Sequence, residues 1–135
     1  PGMRILQYAF GGDAQNRDLP HNYAAESVAY TGTHDNDTLA GWYRSAPRKV
    51  KAHARKYLSS SSHGICDAML RAVWSSVADT AIAPAQDLLG LGSEARMNTP
   101  ATTDGNWQWQ LADGQLDDDL AERLREMTEL FGRKQ

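Results

Sequence analysis

The sequence predicts an α/β fold, a parallel β-sheet with helices laid over its faces. Three observations carry this. Apolar runs rich in branched and aromatic residues recur at positions 3–10, 28–32 and 80–88, short enough for strands and lacking the alternation of a half-exposed sheet. Helical patterns, with apolar residues at i, i+3 and i+4, separate and follow these runs. Each run also opens into a polar cluster, as strands do where they deliver side chains to a site. Strands alternating with helices imply parallel pairing.

Residues 3–10 (Met-Arg-Ile-Leu-Gln-Tyr-Ala-Phe) follow Pro1-Gly2 and precede Gly11-Gly12-Asp13, which predicts a strand buried on both faces. Residues 11–23 hold Gly, Asp, Asn and Pro20, a structured loop ending in one helical turn. The run at 28–32 is the second buried strand, and it hands over to Thr33-His34-Asp35-Asn36-Asp37-Thr38. Asp37-Thr38 is suited to cap a helix over 39–44, and Pro47 to open another reaching Leu58. That helix carries Arg48, Lys49, Lys51, His53, Arg55 and Lys56. In an acidic chain, without interleaved aromatic rings, these read as a solvated face rather than a nucleic-acid patch. Ser59-Ser60-Ser61-Ser62 opens a linker that runs to Gly64. Ile65, Ala68, Met69, Ala72, Val73 and Val77 then predict an amphipathic helix over 65–79. The third strand is expected at 80–88, with Pro84 tolerated only near its end and Gln86 and Asp87 standing there. After a glycine-rich turn region, residues 116–131 close as a helix. Asp117, Asp118 and Asp119 complement its start, and Leu120, Leu124, Met127 and Phe131 form one stripe.

The 135 residues suffice for one domain, and 41% hydrophobic with 23% charged residues fits a soluble globular chain rather than a disordered one. A net charge of −3 offers no general field for nucleic acid. The single Cys66 excludes an internal disulfide, suits a reducing compartment and reads as a small core residue. No run of 18 apolar residues is present, and Pro1-Gly2-Met3-Arg4 lacks the pattern of a signal peptide, so no membrane partner is expected. The chain opens directly into an apolar strand, which leads us to expect further sequence upstream.

His34-Asp35 is the leading chemical candidate. A carboxylate supplies fixed negative charge, and an imidazole beside it donates to or accepts from hydroxyls, a pairing suited to a polyhydroxylated or cationic reaction centre. An Asx-turn leading into a helix cap would use the same residue types. Other motifs fail. Gly90-Leu-Gly92-Ser-Glu-Ala95 matches a dinucleotide fingerprint without the βαβ unit that it needs. Asp35-Asn36-Asp37 begins a calcium loop, but Ala40 and Ala46 stand where Gly and Glu are required. Asn36-Asp37-Thr38 is a glycosylation sequon without a secretory context. His21, His34, His53 and His63 are not at zinc-ligand spacings. There is no nucleophile elbow and no phosphate-loop lysine.

Several segments act together: residues 1–7 (Pro-Gly-Met-Arg-Ile-Leu-Gln), 19–23 (Leu-Pro-His-Asn-Tyr), 30–38 (Tyr-Thr-Gly-Thr-His-Asp-Asn-Asp-Thr), 92–100 (Gly-Ser-Glu-Ala-Arg-Met-Asn-Thr-Pro) and 105–107 (Gly-Asn-Trp). Their content and order resemble the carboxyl-terminal part of the 4-α-glucanotransferases, the amylomaltases or disproportionating enzymes of the α-amylase clan, over nearly all of residues 1–109. The resemblance implies that residues 1–135 form the last three strands, with their helices, of one catalytic (β/α)₈ barrel. It implies transfer of an α-1,4-glucan segment from a donor to the 4-hydroxyl of a glucose or maltooligosaccharide acceptor, with retention. It implies no cofactor and no metal, and places the enzyme in the cytoplasm, or in a plastid for a plant or alga. On this resemblance Asp35 matches the carboxylate that stabilises the transition state and His34 binds hydroxyls of the same sugar. Phe10, Asp13 and Asn98 line the sugar groove, although Phe10 also reads as core. The nucleophile and the acid/base belong to strands preceding Pro1, so the chain alone is expected to be inactive. Ala101 departs from the family's usual Gly, which leads us to expect a slightly different loop course there. A rival reading is a non-catalytic carbohydrate-binding or interaction module, with Trp42, Trp107 and Trp109 as stacking platforms.

Overall fold

The computed structural model describes residues 1–133. Three short strands, β1 (Gly2–Ile5), β2 (Ser27–Tyr30) and β3 (Thr80–Ile82), form one sheet in the order β1-β2-β3. Both pairings are parallel, with Arg4 opposite Ala29 and Ala29 opposite Ala81. Among the described residues are five α-helices, α1 (Leu39–Ser45), α2 (Arg48–Leu58), α3 (Ile65–Trp74), α4 (Ala85–Leu88) and α5 (Asp118–Leu130), and three short 3₁₀ segments. An α/β fold on a parallel sheet is therefore present. The core gathers Leu6, Phe10, Leu19, Leu39, Ile65, Met69 and Val73.

The predicted first strand divides. It ends at Ile5, and Leu6–Gly11 forms a 3₁₀ segment. Strand alternation would have put Leu6, Tyr8 and Phe10 on one face. A 3₁₀ turn instead repeats every third residue, so Leu6 and Ala9 are both fully buried while Tyr8 points outward at 56% exposure. The third strand is likewise shorter than predicted: β3 stops at Ile82, and Pro84 precedes α4, which takes Gln86 and Asp87. Proline costs a helix start no hydrogen bond, because the first amides of a helix lack intrahelical partners in any case. Burial on both faces is also not observed for the outer strands, since Met3 is 48% and Ile82 41% exposed. Only the central β2 alternates buried with half-buried positions.

Helix α3 ends at Trp74, five residues short of its predicted end. The stop is enforced locally and at long range. Ser75 Oγ and Ser76 Oγ donate back to the carbonyls of Ala72 and Val73, which competes with helix continuation. Arg133 then donates to the carbonyls of Trp74, Ser76 and Ala78 at 2.6, 2.8 and 3.0 Å. Helix α5 and the residues after it dock on α3 through this guanidinium, through Trp74 Nε1 to Thr128 Oγ1 (3.2 Å) and through Arg71 over the Phe131 ring. Asp117 caps α5 by accepting from Leu120 N at 2.8 Å. Thr38 caps α1, accepting from Gly41 N at 3.1 Å. Cys66 is only partly buried and packs at the edge of the core; burial pushes its thiol pKa up.

Candidate functional site

The segments that follow β2 and β3 meet at one cleft of about 290 Å³, lined among others by Thr33, His34, Asn36, Asp37, Asp87, Met97 and Trp107. Strand β2 leads into it through Thr31 and Gly32. A Cβ on Gly32 would lie 2.6 Å from Gln7 Nε2 and would displace that side chain, which crosses over to donate to the Asp37 carbonyl at 2.8 Å. Inside the turn, Asn36 Oδ1 accepts from both the amide and the hydroxyl of Thr33, at 2.9 and 3.0 Å. This bond back from residue 36 to residue 33 closes the turn with His34 and Asp35 at its tip. Their side chains are 55% and 49% exposed, with His34 Nε2 3.4 Å from Asp35 Oδ1.

The loop after α4 reaches back to hold this tip. Asn98 Nδ2 donates to Asp35 Oδ1 at 2.7 Å, and Asn98 N donates to the His34 carbonyl at 3.1 Å. Arg96 donates to the Asp35 carbonyl (2.8 Å) and, through Nε, to the Asn98 carbonyl (2.9 Å). The exposed Trp107 ring lies 5.1 Å from the His34 ring, between centroids, at 41°. One carboxylate oxygen is thus fixed, and among the described residues the other, Oδ2, takes no hydrogen bond. A fixed carboxylate with one open oxygen, beside an imidazole and an exposed indole, can face a sugar ring with charge, hydrogen bonds and an apolar platform at once.

Of the expected site residues the structure brings three together, His34, Asp35 and Asn98, although Asn98 spends its amide on Asp35. Phe10 does not join them at the cleft. It is 2% exposed, and its ring packs against Trp42, His53 and Tyr57 with centroids 5.8–6.0 Å away. Phe10→Ala is therefore expected to lower the stability of the complete protein by about 3–5 kcal/mol without changing KM. A calorimetric transition together with substrate titration checks both parts. Asp13 lies in a second hollow that Phe10 also lines, with Gly12, Lys49 and His53, and its Oδ1 accepts from Gln15 N at 2.9 Å. The partly buried Trp42 ring packs against Phe10 and Tyr43.

Two participants were not singled out in the sequence. Tyr8 stands at the end of the first strand run with its hydroxyl accepting from Asn36 Nδ2 at 3.0 Å. Its signal in the sequence is a ring with a polar tip inside the run at 3–10, which also holds Arg4 and Gln7. Arg96 lay inside a quoted motif without an assigned task. Ala101, at φ +62, keeps a left-handed turn, a conformation that glycine adopts without cost.

Among the described residues, no helix is long and apolar enough to cross a membrane, and no group of three His, Cys, Asp or Glu residues is placed to hold a metal. The family described as 4-alpha-glucanotransferase matches residues 1–116. The chain is 50% identical to the chloroplastic/amyloplastic 4-alpha-glucanotransferase of Arabidopsis thaliana, over 98% of this chain and 24% of that protein. It is 46% identical to the 4-alpha-glucanotransferase of Clostridium butyricum, over 98% and 28% respectively. The solved amylomaltase from Streptococcus agalactiae in complex with acarbose superposes with a TM-score of 0.92 at 35% identity, covering 100% of this chain and 28% of that one. The chain thus spans about a quarter of the length of these relatives.

Proposed function

Because the chain belongs to the 4-alpha-glucanotransferase family, we propose that it is the carboxyl-terminal portion of one catalytic (β/α)₈ barrel whose complete protein transfers α-1,4-glucan segments to the 4-hydroxyl of glucose or a maltooligosaccharide. The observation that carries this reading is the Asp35 carboxylate, anchored on one oxygen by Asn98, open on the other, and flanked by His34 and Trp107.

Transfer between glucans passes through an oxocarbenium-like transition state, whose positive charge a preorganised carboxylate favours. Asp35 supplies that charge. His34 hydrogen-bonds hydroxyls of the same sugar, and Trp107 offers its face to the ring. Retention requires a nucleophile and an acid/base on either side of the scissile bond; in this reading both belong to the part of the barrel that precedes Pro1. The same reading places the enzyme in the cytoplasm, or in the plastid of a plant or alga.

Incubating the complete protein with maltotriose tests the reading. Glucose and longer maltooligosaccharides should accumulate together, and saccharide binding without their appearance would instead favour a carbohydrate-binding module. His34→Ala removes hydrogen bonds and a ring contact but no charge, so its loss of rate should be smaller than that of Asp35→Asn. A larger loss would reverse the two assignments.

A further inference from the structure

The most deeply buried carboxylate near the cleft has no part in the chemistry above. Asp87 is 3% exposed. Its Oδ2 accepts from Thr31 Oγ1 at 2.6 Å and its Oδ1 accepts from Leu39 N at 2.8 Å. Thr31 directly follows β2, and Leu39 is the first residue of α1. Between these two residues lies the whole turn that carries His34 and Asp35. The other ties described on that turn act within it: Gln7 at the Asp37 carbonyl, Ser93 Oγ at Asp37 Oδ2 (2.7 Å), Tyr8 at Asn36, and Asn98 and Arg96 at the tip. Among the described residues, Asp87 alone grips both ends.

We propose that Asp87 is a positioning residue for the transfer reaction. Its carboxyl group clamps the two ends of residues 32–38 and so fixes where the Asp35 charge stands relative to the reacting sugar. The chemistry of the group suits this task. A carboxylate has two oxygens at fixed separation, and here each meets one buried donor, Thr31 at 0% exposure and Leu39 at 1%. Removing the group strands both donors, at a cost that no surface residue could impose. Burial pushes the Asp87 pKa up. The Thr31 and Leu39 hydrogen bonds oppose that rise, and Asp37 adds to it; Cys66, whose own pKa Asp87 helps to raise, is the other titratable group near it. With its pKa raised on folding, Asp87 contributes stability that is whole below its unfolded value and declines as pH rises through the folded value.

The proposal rests on the glucanotransferase reading, and the tests separate the two. Asp87→Ala in the complete protein, assayed well below its own thermal transition, should lower kcat about 10²-fold, the order expected for a displaced catalytic group, with KM nearly unchanged. Asp87→Asn can keep both ties, accepting from Leu39 N through Oδ1 and donating to Thr31 Oγ1. It should recover most of kcat and abolish the decline of stability with pH. Thr31→Val cuts one tie and should fall between; it carries the test if the Ala variant does not fold. Hydrogen exchange gives a readout independent of turnover: amides of residues 32–38 should exchange faster in Asp87→Ala, with those of α3 and α5 unchanged. Near-parental kcat in a folded Ala or Val variant overturns the proposal, as does an Asn variant as slow as Ala. If the parent itself fails to disproportionate maltotriose, the functional reading falls and exchange alone judges the clamp, with unchanged exchange overturning it.

Discussion

Asp35→Asn in the complete protein is expected to slow glucan transfer on the order of 10² to 10³-fold, as is usual when one preorganised electrostatic group is removed from a reaction centre. The substitution is nearly isosteric, and the oxygen of the new side-chain amide can still accept from Asn98 Nδ2 in place of the 2.7 Å bond to the carboxylate. What disappears is charge. Because the side chain is about half exposed, the thermal transition should hardly move, since surface changes of this kind stay within about 0.5 kcal/mol. Initial rates of glucose release from maltotriose, measured beside calorimetry, separate the two effects. A folded variant with parental rates would remove Asp35 from the reaction.

The second large effect is expected for residues 1–135 by themselves, which should neither turn over glucans nor form a stable monomer. The chain contributes one of the three carboxylates that the proposed reaction needs. Its sheet has only three short strands, and among the described residues β1 and β3 are its outer members, each with an unpaired edge. Met3, Ile82 and Leu116 stand 48%, 41% and 54% exposed. Unpaired edges flanked by apolar side chains recruit other chains. Size-exclusion chromatography with light scattering, a thermal melt and a maltotriose assay on the same preparation address all of this. A monodisperse monomer with a cooperative transition would contradict the folding expectation, and heat-labile release of glucose the catalytic one.

Legibility in the sequence followed the range of the interactions. The end of the second strand run was readable because Val28 to Thr38 changes abruptly from apolar to polar, and Thr38 caps α1 with the side chain that its residue type suggests. Apolar content without periodicity could not separate a strand from a 3₁₀ turn at residues 6–11, where burial of Leu6 and Ala9 on one side decided the outcome. The same ambiguity joined β3 to α4. Asn98 reaches Asp35 across 63 residues, and Thr31 reaches Asp87 across 56. No local pattern encodes such pairings, so the sequence could nominate Asn98 by family resemblance and could set Asp87 at a strand end, but could not show what either one holds. The end of α3 was legible only in part: Ser75 and Ser76 are a local signal, whereas the Arg133 guanidinium that meets its last carbonyls comes from the far side of the chain.

The spatial order β1-β2-β3 is also the order of synthesis. A chain leaving the ribosome therefore meets each pairing partner already made: β2 finds β1 behind it, and β3 finds β2, with no strand inserted later between two earlier ones. Sequential neighbours of this kind keep loop closure short for the β1–β2 step, which spans one loop without an α-helix, and defer the longer closure until α1, α2 and α3 have emerged. The clamp on residues 32–38 must come later still, because its carboxylate lies beyond β3. During translation the turn bearing His34 and Asp35 is thus made before Asp87 emerges to grip Thr31 and Leu39, and Ser93, Arg96 and Asn98 reach it later still.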